Sequence, residues 1–227
     1  MNSLGYLVPR SNKVKKEFIH SRIMANQHNL IIQNLDAMAT IVGYGKNRGN
    51  ANIAYASSPI TTGPRMYETC QRLGLAPDKI PKEILQQEVL TPNLSEGEEF
   101  GRQLRESKRY DLVICPATFF AKGWDQHDYM TLWETVINTF ATAVHLKEPG
   151  WNLSNGCTEE FVIGLRQGKK LYRGLEEQEL APKEGIRSIE KAIQELTDKG
   201  FDTSKLQPFY QQAAVLAYVQ KKEGVRV

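Results

Sequence analysis

Two adjacent carboxylates, Glu159 and Glu160, stand in the stretch WNLSNGCTEEF, where a polar turn holding Gly156 runs into an apolar helical sequence. Ser154 and Asn155 are residue types that cap helices, and Val162, Ile163 and Leu165 mark the face the helix buries. Neighbouring helical residues are rotated by about 100°, so the two acids cannot share a direction. One is solvated and the other turns towards the strand ends. An acid in a first helical turn complements the macrodipole by up to about 1 kcal/mol. A carboxylate held inside can instead act as a nucleophile or general base. Such a buried group needs a hydroxyl partner, and Cys157 beside it is either a thiol nucleophile or an ordinary free thiol.

Two further stretches combine chemically useful residue types. In YASSPITTGPR the hydroxyls of Ser57, Ser58, Thr61 and Thr62 surround Pro59 and precede Gly63, a helix start and Arg65. Free N–H groups, a glycine for close approach and a guanidinium make an anion site. The same pattern also describes an ordinary N-cap with a surface arginine, since it has neither Walker nor G-x-G-x-x-G spacing. In CPATFFAKGWDQHDYM the rings of Phe119, Phe120 and Trp124 sit among Asp125, His127 and Asp128. That describes either core cover or a platform for a flat ring with polar groups at its rim. One histidine with two close acids is a weak metal signature, and neither a metal nor a cofactor is expected.

These stretches must be positioned by the elements between them. Alternating short apolar runs and helical patterns predict an α/β fold, Rossmann-like and specifically flavodoxin-like: a parallel five-stranded sheet with helices on both faces. The expected strands are NIAYA, QEVLTPN, YDLVICPA, TAVHL and KKLY. The expected helices are RMYETCQRLG closed by Gly74, SEGEEFGRQLRESKR capped by Ser95, one near residues 129–138, CTEEFVIGLRQG ended by Gly168, and two more near 183–199 and 204–221. Tyr55 and Cys115 should lie at strand C-terminal ends. All three unusual loops follow a strand and should therefore meet at the carboxyl edge of the sheet, where such folds bind ligands. Ahead of this domain, 51–227, residues 1–50 form a helical extension (about 13–42) and a Gly/Asn-rich linker (43–50).

Composition narrows the function. The 227 residues are 41% hydrophobic and 24% charged with a net charge of +3, ordinary for a soluble domain and unlike a dedicated nucleic-acid binder. The basic stretch SNKVKKEF reads as a solvated face or arm. No apolar run reaches membrane-spanning length. Three widely spaced cysteines without a C-x-x-C pair point to a reducing, cytoplasmic setting.

The turn Ser154-x-Gly156-x-x-x-Glu160, followed by Lys169, resembles that of the nucleoside 2-deoxyribosyltransferase superfamily, closest in motif to the nucleoside 5′-monophosphate N-glycosidases. Tyr55, Ser57, Ser58, Gly63 and Arg65 match the family's tyrosine-bearing strand and Gly-x-Arg loop, and Asp111 matches an Asp that begins a second strand. The likeness covers roughly residues 52–172. It implies that Glu160 is the nucleophile at the anomeric carbon, that Tyr55 orients it, and that Ser57, Gly63, Arg65 and Ser154 hold a 5′-phosphate. The departing base takes a proton from Asp125, His127 or Asp128, and the sequence does not choose among them; Asp128 stands for this group beside Glu160 and Tyr55 as catalytic. The expected substrate lining adds Ser58, Pro59, Trp124, Asp125, His127, Trp151, Asn155 and Gly156. The chain departs from the family at Ser154, where the transferases commonly carry an acid, and at Val162, usually a small residue.

The implied activity is cleavage of the N-glycosidic bond of a nucleoside 5′-monophosphate to release the base, by a homo-oligomer whose partner is a small nucleotide or nucleoside. The alternatives are a nucleoside 2-deoxyribosyltransferase and a non-catalytic nucleotide sensor. A further resemblance, to lysine-decarboxylase-like phosphoribohydrolases, rests on Gly156-Cys-Thr-Glu-Glu but lacks their double glycine.

Overall fold

A computed structural model describes residues 27–34 and 51–222. Residues 27–34 are helical; the rest of the expected N-terminal helix, the SNKVKKEF stretch and the linker 43–50 lie outside the described residues. The fold is α/β, built on parallel strands β1 (Ile53–Ser57), β2 (Leu112–Ile114), β3 (Ala143–Leu146) and β4 (Lys170–Arg173) in the order β2-β1-β3-β4. Tyr55 pairs with Ile114 on one side and Val144 on the other, and Ser57 pairs with Leu146. The central strands β1 and β3 are short and buried along their whole length, as fully covered parallel strands are, while the edge strand β4 buries only Leu171. Tyr55 is mid-strand, two residues short of the C-terminal end of β1, and Cys115 directly follows β2.

The helices are α1 (Pro64–Leu73), α2 (Thr91–Glu106), α3 (Gln126–Thr139), α4 (Asn155–Arg166), α5 (Pro182–Asp198) and α6 (Gln207–Lys222). Side-chain alternation along β1 divides the core. Ala54 and Ala56 pack with Phe100 and Leu104 of α2, whereas Ile53 and Tyr55 pack with α3 and α4 through Trp133, Val136, Ile137, Phe161 and Val162. Small residues bring α2 close to the strand ends. A Cβ on Gly97 would lie 2.5 Å from Ser58 Oγ and 2.6 Å from the Ala117 methyl, so only glycine fits.

Two expectations need correcting. QEVLTPN is not a strand, and among the described residues the sheet has four strands rather than five. The segment is a π-helical turn, Leu85–Leu90, running directly into α2. Its polar positions face outward while Val89 packs on Met66 and Cys70 of α1, away from the sheet. A short apolar run does not distinguish strand from helix by periodicity. For the same reason Ser95 lies inside α2 rather than capping it. By contrast, Gly74 closes α1 in the left-handed conformation, and Gly168 follows α4 at φ 62°.

The crossover from β1 leads to β2 on one side of the sheet, and that from β3 leads to β4 on the other. The adjacent C-terminal ends of β1 and β3 therefore flank the switch point, where open α/β sheets form a crevice.

Candidate active site

Ser154 opens α4 as its N-cap, accepting a hydrogen bond from the Cys157 N–H at 3.4 Å. The helix starts at Asn155, two residues earlier than the sequence suggests, which puts Glu159 and Glu160 in the second turn. The helix dipole acts within the first turn, so capping does not account for either acid. Thr62, from the loop after β1, ties that loop to α4: its hydroxyl accepts from the Asn155 N–H at 3.0 Å and bonds Ser154 Oγ at 3.3 Å.

One turn further along, Glu160 points at the end of β1. The Tyr55 hydroxyl donates to its Oε1 and the Ser57 hydroxyl to its Oε2, each at 2.5 Å. The carboxylate is 6% exposed. Burial pushes its pKa up, the bonds from Ser57 and Tyr55 pull it back, Glu159 adds repulsion, and the balance is about 7. Both protonation states are therefore present near neutral pH. Tyr55 is fully buried with its ring edge on Trp133. Burial first, then the charge of Glu160, raise its pKa well above the ordinary value, so it stays a donor. Burial pushes the Cys157 thiol up to about 12, which keeps it protonated, as an ordinary free thiol. Glu159 is half-buried rather than fully solvated; burial and then Glu134 raise its pKa.

The other expected site residues fall into separate groups. Arg65 does not join Ser57 and Ser154. It pairs with Glu96 of α2, whose Oε2 accepts from Lys147 Nζ at 3.0 Å. Burial opposes ionisation of Glu96, and the bonds from Lys147 and Arg65 overcome it, leaving its pKa below the ordinary range. A cleft of about 280 Å³ lies here, lined by Pro59, Pro64, Arg65, Asn93, Glu96 and Lys147 among others. Gly63 shapes the loop above it, with φ 123° and space for a Cβ only 2.9 Å from that of Pro59. Ser58 is buried against Gly97, and its hydroxyl has no hydrogen-bond partner among the described residues.

Asp125 and Asp128 form a reciprocal capping box at the start of α3: Asp125 accepts from the His127 and Asp128 N–H groups, and Asp128 Oδ2 accepts from the Asp125 N–H at 3.0 Å. The exposed His127 lies close enough to Glu159 to act on its charge. Trp124 is buried edge-to-face with Phe119 and Tyr129, while Phe120 is exposed. Trp151 belongs to the core, fully buried against Phe161. Gly156 faces Met130 and Gln126 of α3. Among the described residues no group of three or more His, Cys, Asp or Glu side chains is placed to hold a metal ion.

Several contributors carry no motif. Trp133 backs Tyr55, Gln27 accepts from the Trp124 indole N–H at 2.8 Å, and His28 stacks edge-on against the same ring. Lys147 could have been found from its position, since it directly follows β3 at the carboxyl edge where ligand-binding residues collect. No protein-family model matches the sequence, and comparison with curated proteins and with solved structures gives no match.

Proposed function

We propose that the protein is an N-glycosidase acting on a nucleoside 5′-monophosphate, with Glu160 as nucleophile. The observation that carries this reading is the buried Glu160 carboxylate, held by Tyr55 and Ser57 at 2.5 Å beside the switch point of the sheet. The pair of hydroxyls fixes the carboxylate's direction without a cation to quench it. The Ser-x-Gly-x-x-x-Glu resemblance and the four-stranded, flavodoxin-like strand order support the same conclusion.

In this mechanism a Glu160 oxygen bonds to the anomeric carbon as the bond to the base nitrogen breaks, and the base keeps the electron pair. The base takes a proton from the start of α3, where His127, exposed and outside the capping box, is preferred to Asp128. Water then hydrolyses the glycosyl ester and restores Glu160. Capture by a second base instead of water would make the protein a deoxyribosyltransferase. Buried free cysteines at positions 70, 115 and 157 fit a reducing, cytoplasmic location.

A non-catalytic nucleotide sensor is the second reading, favoured because the clefts at Arg65 and Lys147 are lined without Glu160. Incubation with a panel of nucleoside 5′-monophosphates and chromatography of the released base separates the two. Release is expected, with at least a hundredfold loss in Glu160→Gln and little change in Glu159→Gln, by analogy with removal of other catalytic groups, roughly 10²-fold or more. Full turnover by Glu160→Gln would refute the assignment, and binding without release would favour the sensor.

A further inference from the structure

Arg65 and Lys147 reach the same carboxylate from different elements. Arg65 is in the first turn of α1, whose N-cap Gly63 supplies no side-chain cap and whose first turn holds no acid. Lys147 follows β3, and its backbone N–H donates to the Ser57 carbonyl at 2.9 Å, which fixes it against the strand that carries Tyr55 and Ser57. Between them Glu96 divides its oxygens, Oε1 to Arg65 and Oε2 to Lys147.

We infer that Arg65 and Lys147 together seat a phosphate monoester, and that Glu96 is the internal carboxylate which this phosphate displaces. The inference rests on the reading that a nucleotide docks its phosphate at Arg65, and it adds Lys147 as a ligand and Glu96 as a competitor. Three observations carry it. The Lys147 side chain is 16% exposed against 43% for Glu96, so the cation is anchored and the acid is the part able to leave. Glu96 borders the 280 Å³ cleft that holds Arg65 and also a neighbouring cleft of about 580 Å³, where Glu99, Glu148 and Glu176 stand with Arg173, so its side chain has open space beside it. A phosphate monoester brings three acceptor oxygens and close to two charges, where one carboxylate must share two oxygens and a single charge between the cations. Glu68, at the edge of the smaller cleft, is exposed and makes no ion pair with either cation.

Calorimetric titration of the full chain with inorganic phosphate, a nucleoside 5′-monophosphate and the matching nucleoside tests this. Glu96→Gln should tighten phosphate and nucleotide by roughly tenfold, and Lys147→Gln should weaken both by roughly tenfold, as expected for one charge-assisted contact. The nucleoside should respond to neither. Glu99→Gln, which lines the larger cleft but bonds neither cation, should match the native protein, and a gain equal to that of Glu96→Gln would reduce the effect to net charge and overturn the inference. Should Glu96→Gln fail to fold, the loss in Lys147→Gln decides alone. If Arg65→Ala weakens the nucleotide while Glu96→Gln and Lys147→Gln leave it unchanged, the inference falls and the functional reading stands. If phosphate follows the expected order but no base is released, the glycosidase reading falls and the phosphate seat stands.

Discussion

Replacing Glu160 by glutamine should change how stability depends on pH, by an amount that follows from the carboxylate's surroundings. Burial is the largest influence and, after the hydrogen bonds from Ser57 and Tyr55 pull against it, leaves the group at about 7 against an ordinary 4.5. A carboxyl whose pKa is raised by folding binds its proton more tightly in the folded chain. Its contribution is fully present below pH 4.5 and is lost as pH rises through 7. A gap of about 2.5 pH units at about 1.36 kcal/mol each makes the whole effect roughly 3 kcal/mol, of which roughly 2–3 kcal/mol falls between pH 5 and 8. Glutamine keeps the shape and cannot ionise.

The native protein alone would hide this slope. His145, fully buried, has its pKa lowered to about 4 by burial, against the opposing effect of the Gly174 carbonyl. Its contribution has the opposite sign: present above the ordinary 6.5, and lost as pH falls towards 4. His145 is common to both proteins and cancels in the difference. Urea unfolding followed by tryptophan fluorescence at pH 5, 6, 7 and 8 gives that difference directly. Glu160→Gln should gain on the native protein by roughly 2–3 kcal/mol across the series. A difference that stays flat would mean that Glu160 does not titrate near neutrality, and the desolvation reasoning would be wrong.

Tyr55→Phe keeps the ring on Trp133 and removes the hydroxyl donated to Glu160 Oε1. Under the proposed mechanism the acid limb of kcat/KM should lie near pH 7, at the pKa of Glu160, and in Tyr55→Phe it should move up by about one pH unit, the size of one charge-assisted bond; an unmoved or lowered limb would deny Tyr55 this role. We also expect a homodimer through the terminal helices, where α6 leaves Val215, Tyr218 and Val219 exposed. Light scattering at micromolar concentration should give twice the chain mass, with Tyr218→Glu monomeric, and a monomeric native protein would end the idea.

How far the sequence could foretell the structure varied with the physical signal. NIAYA and TAVHL are apolar runs between breakers, and each became a central strand covered on both faces, while KKLY forms the half-exposed edge strand β4. QEVLTPN looked the same over four residues, but its helical identity depends on contacts of Val89 with α1 that no local pattern displays. Ser154 as N-cap was legible from its residue type before an apolar helical run; helical rotation showed only that one of Glu159 and Glu160 turns inward, and the resemblance picked Glu160, the acid that is buried. The division of the polar loop after β1 was not. Alternation sends Ser57 towards α4 and leaves Arg65 with α2, and the partner that claims Arg65, Glu96, sits 31 positions away in sequence.

Glu160 is the place where stability and chemistry pull apart. In the second turn of α4 it gains nothing from the helix N-terminus. At 6% exposure it loses most of its hydration, offset only by the hydroxyls of Tyr55 and Ser57. Salt bridging would have solved the desolvation problem, and Lys147 stands nearby, just past the strand that pairs with Ser57. Instead Lys147 is turned to Glu96, and Glu160 is left with two neutral hydroxyls. A cation would have held the carboxylate firmly ionised and lowered its basicity; hydroxyls direct it while leaving its pKa at about 7. A group kept at such cost, with its natural counter-ion facing elsewhere, is hard to explain by folding alone, which supports a chemical role of the kind proposed above for Glu160.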